Sequence, residues 1–159
     1  PIVGFILKNT FISQPDVKGQ TDLSALTEFD KGQAALEFEH FPSRLHTFLW
    51  RNWNVVPVER LAAVLETSVE NVNRVAATMG LPSQQKILQI WESSQGYITV
   101  LRRNWHLLPF SQLVVLLKQS PEQLAESLQE DDFLYIKLGS IKPQCELLRF
   151  TEPTEKQTK

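Results

Sequence analysis

Cysteine, methionine and glycine are scarce in this sequence. Cys145 is the only cysteine, which excludes an internal disulfide and a multi-thiolate metal site and leaves the compartment open. Only six glycines are present, and none builds a phosphate-cradling loop. Long apolar runs are missing too. The longest aliphatic stretch, Leu113 to Leu117, is five residues, so no membrane insertion is expected. Positive charge is not in excess: 16 Lys and Arg stand against 18 Asp and Glu, a net charge of −2. That balance argues against a basic face large enough for a strong phosphate footprint. His40, His46 and His106 lie in no metal-ligand spacing, so neither a metal nor a cofactor is expected. The run Ile2–Leu7 is too short for a signal-peptide core and has no basic segment before it. The chain opens on "PIVGFILKNTF" without a methionine, as expected of a processed chain or one cut from a longer protein.

What the chain does contain is one phrase written twice. "LWRNWNVVPVERLAAVLETSVENV" begins at Leu49, and "LRRNWHLLPFSQLVVLLKQSPEQL" follows 52 residues later. Aligned without a gap, nine of 24 positions are identical, among them Arg51/Arg103, Asn52/Asn104, Trp53/Trp105 and Pro57/Pro109. Apolar positions keep their character while exposed ones drift, which is the pattern of a duplicated structural unit. At 159 residues, 42% of them hydrophobic, the chain can bury a sizeable core.

Each copy parses into three helices. Ser43 can cap a first helix carrying Leu45, Phe48, Leu49 and Trp53 on one side. Pro57 suits a helix start, where a missing N–H costs nothing. Ser68 can cap a third helix with Val69, Val72, Val75, Ala76 and Met79 inward, and Gly80 can close it in a left-handed cap. The second copy repeats this with Pro109, Leu113, Leu116 and Leu117, then Ser120-Pro121, Leu124 and Leu128. A linking helix is expected around Ile87, Ile90 and Trp91, interrupted at Ser94-Gln95-Gly96.

The ends read differently. Phe133–Leu138 and Cys145–Phe150 are β-prone runs separated by Gly139 and Pro143, and are expected to pair as a hairpin. "TEPTEKQTK" reads as a disordered polar tail. Ile2–Leu7 is strand-like, and residues 21–41 suit either a hairpin turning at Asp30-Lys31-Gly32 or a helix followed by a strand. The expected fold class is mainly α: two duplicated three-helix units with a small β element, the C-terminal hairpin, which the N-terminal strand could join. The expected boundaries are 1–42 for an N-terminal strand and loop segment, 43–82 for the first unit and 83–132 for the linking helix and second unit. The hairpin takes 133–150 and the tail 151–159.

The segment "LAAVLETSVENVNRV" resembles a helix-turn-helix, with Leu61, Ala62, Leu65, Ser68 and Val72 in its apolar and capping places and Glu66 where a turn glycine is usual. That resemblance implies a helical geometry, which serves DNA binding and many other interactions alike. If DNA were read, Asn71, Asn73 and Arg74 would face the bases. Residues 121–132 carry five acids and no cation, so a phosphate backbone would repel the second copy, and DNA is not the expected partner.

Arg51 with Trp53 and Arg103 with Trp105 form the candidate interaction surface, since arginine and tryptophan are favoured interface anchors. The structural alternative places each tryptophan in a helix corner, each asparagine on helix-end carbonyls and each arginine on a carboxylate such as Glu59. Repetition at the same place in both units favours that alternative. No catalytic constellation is legible. "EDD" at 130–132 lacks an EF-hand loop, and Cys145 has no base beside it.

A second resemblance covers most of residues 40–150. His46, Trp50 to Trp53, Pro57, Arg103 to Trp105, Pro109, Asp131 to Phe133 and Lys137 to Pro143 are similar to the N-terminal region of large, uncharacterised bacterial proteins that continue into a glycoside-hydrolase-like barrel. It implies a non-enzymatic accessory module whose partner is a protein or the remainder of a longer parent chain, located in the bacterial cytoplasm or cell envelope. The expected function is therefore a non-catalytic interaction module. The alternatives are a transcription-factor-type DNA binder and an enzyme whose site is invisible in sequence.

Overall fold

The computed structural model describes residues 21–30, 32–84, 96–130 and 134–158. It is mainly helical, with seven α-helices and almost no strand among the described residues. They are α1 (Arg44–Asn52), α2 (Val58–Val64), α3 (Val69–Thr78), α4 (Gly96–Asn104), α5 (Phe110–Leu117), α6 (Pro121–Glu130) and α7 (Leu134–Lys137), preceded by a 3₁₀ turn at Ser24–Leu26. The bounds of α1 and α4 lie 52 residues apart at both ends, as do those of α3 and α6. None of the described helices is long and apolar enough to cross a membrane.

Local chemistry sets the boundaries. Ser43 accepts the His46 N–H and Ser68 accepts the Asn71 N–H, each satisfying an orphan donor of a first turn. Ser120 and Gln123 exchange bonds: the Gln123 N–H donates to the Ser120 hydroxyl at 3.2 Å, and the Ser120 N–H donates to the Gln123 amide at 2.8 Å. That is a reciprocal capping box. Pro57 and Pro109 sit one residue before α2 and α5, at the cap. Gly80 takes a left-handed φ of 73° after α3, and its N–H donates to Ala77 O while Leu81 N–H returns to Ala76 O. Glu66 and Lys118, 52 residues apart in the turns after α2 and α5, also hold positive φ of 52° and 56° without being glycine. Such a conformation costs a side-chain-bearing residue energy, so tertiary packing must hold it.

Packing runs α1 on α4, α2 on α5, α2 on α3 and α4 on α5, with α6 against both the 3₁₀ turn and α7. One contiguous core results, from Leu26 and Phe29 through Phe48, Leu61, Val72, Leu101, Leu113 and Leu124 to Leu148. The two tryptophans of the repeated phrase lie within it. Trp53 is 2% exposed and its indole donates to Pro82 O at 2.7 Å; Trp105 is 1% exposed and donates to Ile141 O at 2.8 Å. Edge-on contacts with Phe110 and Tyr135 complete the Trp105 pocket. Buried Gln112 joins three segments, donating to Val64 O and Leu148 O while its carbonyl accepts the Leu148 N–H.

The hairpin expected over residues 133–150 does not form among the described residues. Residues 134–137 make one helical turn, with Leu134 buried and α7 packed on α6. Gln144 instead pairs in parallel with Ala34 as an isolated bridge. The following residues form no regular element, and their backbone is bonded elsewhere, Leu148 to Gln112 and Phe150 to Leu65. Of the two readings of residues 21–41, the hairpin at Asp30-Lys31-Gly32 fails: a 3₁₀ turn leads into extended chain. Gly32 serves close approach, since a Cβ there would collide with the Lys142 carbonyl. Glu152 pairs with Arg74 at 2.6 Å, and Gln157 donates to Pro42 O at 3.2 Å. The strand at Ile2–Leu7 and the linking helix around Ile87, Ile90 and Trp91 lie outside the described residues.

Truncating a buried tryptophan costs about 3–5 kcal/mol through lost transfer energy and the cavity left behind. Trp53→Ala and Trp105→Ala should each lower the melting temperature markedly, whereas Trp50→Ala, at a site 55% exposed, should stay within about 0.5 kcal/mol of the parent. Thermal melts of the three variants measure this. A pH effect follows from His46, whose ring Nδ1 lies 2.7 Å from Ser43 Oγ while its buried Nε2 has no hydrogen-bond partner. Burial pushes its pKa below the ordinary value, so the unfolded chain binds the proton more readily. The stability this neutral ring confers is complete above about pH 6.5 and is lost as pH falls below it. Melting temperature should drop between pH 7 and 5, and less steeply in His46→Gln.

Candidate functional site

The C-terminal ends of α1 and α4 lie side by side, and the repeated "RNW" brings them together. Asn52 and Asn104 are fully buried. Asn52 Nδ2 donates to Phe48 O and to Asn104 Oδ1, both at 2.8 Å. Asn104 Nδ2 donates to Val100 O at 2.8 Å and to Asn52 Oδ1 at 2.7 Å. Each amide thus spends one donor on its own helix and one on its counterpart. Sequence reasoning expected helix-end carbonyls as the asparagines' partners; the carbonyls bonded are those of Phe48 and Val100, in the middle of each helix, and the amide pair was missed because nothing local signals a partner 52 residues away.

The flanking arginines repeat the reciprocity. Arg51 Nη1 donates to Arg103 O at 2.9 Å, and Arg103 Nη1 donates to Arg51 O at 2.7 Å. The expected carboxylate partner is replaced by carbonyls at helix C-termini, where the peptide dipoles favour a cation. The Arg51 guanidinium also lies 4.5 Å over the Phe38 ring. Burial, and then the charge of Arg103, push its pKa below the ordinary arginine value; it remains a cation at neutral pH.

Above this seam an open groove of about 600 Å³ is lined by Trp50, Arg51, Asn54, Leu81, Arg102 and Arg103. Among the described residues no carboxylate lines it. The Arg102 side chain is exposed and makes no hydrogen bond or ion pair with the described residues. Trp50 is 55% exposed, and its ring lies tilted by 50° to that of Phe41, with centroids 6.3 Å apart. Of the four residues first singled out, Arg51 and Arg103 line the groove, whereas Trp53 and Trp105 are core and cannot be contacted from outside. Trp50 and Arg102 take their place.

The DNA-reading residues are otherwise engaged. Arg74 is clasped by Glu152 at 2.6 and 2.7 Å and also donates to Asn71 Oδ1, while Asn71 Nδ2 donates to Thr67 Oγ1. Asn73 is exposed on α3. Arg60 Nη1 donates to Val115 O at 3.1 Å. On the outer side of α6, Glu122, Glu126 and Glu130 are exposed.

Two further places bear on chemistry. A groove of about 840 Å³ includes Asp22, Asp30, Phe110 and Leu147. Asp22 accepts the Ser24 N–H at 2.9 Å, which holds its pKa below the usual carboxylate range and makes it a turn cap. Lys142 is 1% exposed, 5.5 Å from both the Trp105 and Phe110 rings; it donates to Pro143 O at 2.9 Å and lies 3.6 Å from Cys145 Sγ. Burial pushes its pKa down, opposed by Cys145 and Asp30. Sequence reasoning missed this lysine, since "SIKPQC" reads like any surface loop. Among the described residues no group of three or more His, Cys, Asp or Glu could hold a metal ion.

The amide pair yields a sharp stability test. Asn52→Ala strands a buried amide on Asn104 and should cost about 1–3 kcal/mol. Asn52→Ala with Asn104→Ala should cost less than the sum of the singles, with a coupling of about 0.5–3 kcal/mol in a urea-denaturation double-mutant cycle.

No family model, curated protein or solved structure matches the chain.

Proposed function

We propose that this chain is a non-catalytic interaction module, made of two copies of one helix-turn-helix-like unit and serving as an accessory part of a larger bacterial protein. The observation that carries the interaction reading is the groove in which exposed Trp50 lies beside Arg102, a guanidinium with no partner among the described residues. An exposed indole next to an unsatisfied planar cation is the composition of an interface anchor. Support for two copies comes from the helix bounds and the Asn and Arg bonds, all separated by the 52 residues of the sequence repeat. The bacterial, accessory part of the proposal rests on the sequence resemblance through His46, Trp50 to Trp53, Pro57, Arg103 to Trp105 and Pro109.

A DNA-binding role is the weaker reading. Arg74 is neutralised by Glu152, and α6 presents acids outward. An enzymatic role would need a nucleophile, acid and base in one cleft; the groove at the seam offers arginines, an asparagine and apolar groups.

A photo-crosslinking residue at position 50 should give protein adducts in cells producing the chain, and one at position 126, on acidic α6, should not. Random-sequence duplex DNA should show no submicromolar binding at about 0.15 M salt. Tight binding that weakens steeply with salt would overturn the proposal in favour of a nucleic-acid role, because that slope counts displaced counterions.

A further inference from the structure

We propose that the groove at the α1–α4 seam receives a short acidic peptide segment of a partner protein, carboxylates on its arginines and an aromatic or branched apolar residue on Trp50; this rests on the interaction reading above. Arg51 and Arg103 each spend an Nη1 on the opposite helix, which fixes both forks in place before any ligand arrives. A fork held in advance loses little freedom on binding, and its geometry matches a carboxylate with two parallel bonds. Arg102 adds a third cation on the same rim.

The field is positive beyond the lining itself. His106, just past α4, has its pKa lowered by burial first and then by the charges of Lys142 and Arg51. The chain as a whole carries −2, so this concentration of cations is local. Like charges gathered around an open groove repel one another, and an anion among them relieves that repulsion. The Trp50 face, with Leu81 across the groove, gives the apolar part of a ligand somewhere to lie.

Size and reach favour a peptide over a nucleic acid. A space of about 600 Å³ holds a few side chains. A phosphate backbone binds through a long track of cations, and here the described lining residues supply three while the exposed face of α6 is acidic.

The test uses the full 159-residue chain and three probes: the acetylated, amidated peptide Glu-Glu-Phe-Glu-Glu, its Gln-Gln-Phe-Gln-Gln counterpart, and a twelve-nucleotide oligo-dT. Calorimetry and amide NMR shifts report binding. The acidic peptide should bind at least about tenfold more tightly than its glutamine counterpart, and more weakly as salt rises. Arg102→Glu and Trp50→Ala should each weaken it by about tenfold or more, with unchanged melting curves, since both side chains are exposed. Equal affinity for the two peptides, or an Arg102→Glu variant that binds as the parent does, overturns the acidic assignment. Tighter binding of oligo-dT replaces the peptide with a nucleic acid. If the peptides fail while position 50 still crosslinks to protein, the acidic chemistry falls and the interaction module stands; if crosslinking fails as well, both fall.

Discussion

Two buried asparagine side chains hold the centre of this fold. A primary amide has two donors and a carbonyl to satisfy, and neither Asn52 nor Asn104 can reach water. Each is completed by the other and by a carbonyl of its own helix. Sliding α1 against α4 by one turn, about 5.4 Å, would orphan both amides inside the core. Apolar contacts alone would not penalise that slip so heavily, because leucine and valine surfaces tolerate many packings. The amide pair therefore selects one alignment. The reciprocal Arg51 and Arg103 bonds, one residue before each asparagine, fit the same alignment.

The helices were legible because their signals are local. Serine caps at 43, 68 and 120, prolines before α2 and α5, and apolar residues three and four apart marked the boundaries within a residue or two. Residues 133–150 were misread for the opposite reason. Phe, Leu, Tyr and Ile there favour strands, but Leu134 finds a buried place with α7 against α6, and the backbone beyond Gln144 is claimed by Gln33, Gln112 and Leu65. Those partners lie 36 to 111 residues away, and no window of sequence contains them.

The candidate site shows the same division. The phrase "LWRNW" holds two tryptophans three residues apart, and composition treats them alike. Trp53 ends α1 and turns into the core, while Trp50 sits on the outer side. A repeated tryptophan proved to be packing, and the one without a tryptophan counterpart, opposite Arg102, lines the groove. The shared Asn52/Asn104 and Trp53/Trp105 are buried, whereas positions 50 and 102, where the two phrases differ, line the groove together with the shared Arg51 and Arg103.

That departure has a consequence for symmetry. In a dimer of two identical chains, a residue near the two-fold axis meets its own twin, so tryptophan would stand by tryptophan or arginine by arginine. Two identical guanidiniums on such an axis would repel, and two identical indoles would bury each other. Here positions 50 and 102 line one groove as Trp50 and Arg102. Two positions of a single polypeptide are under no such constraint. A groove that self-pairing would have kept uniform holds a cation and an aromatic ring together, and its two helices contribute unlike chemistry to it.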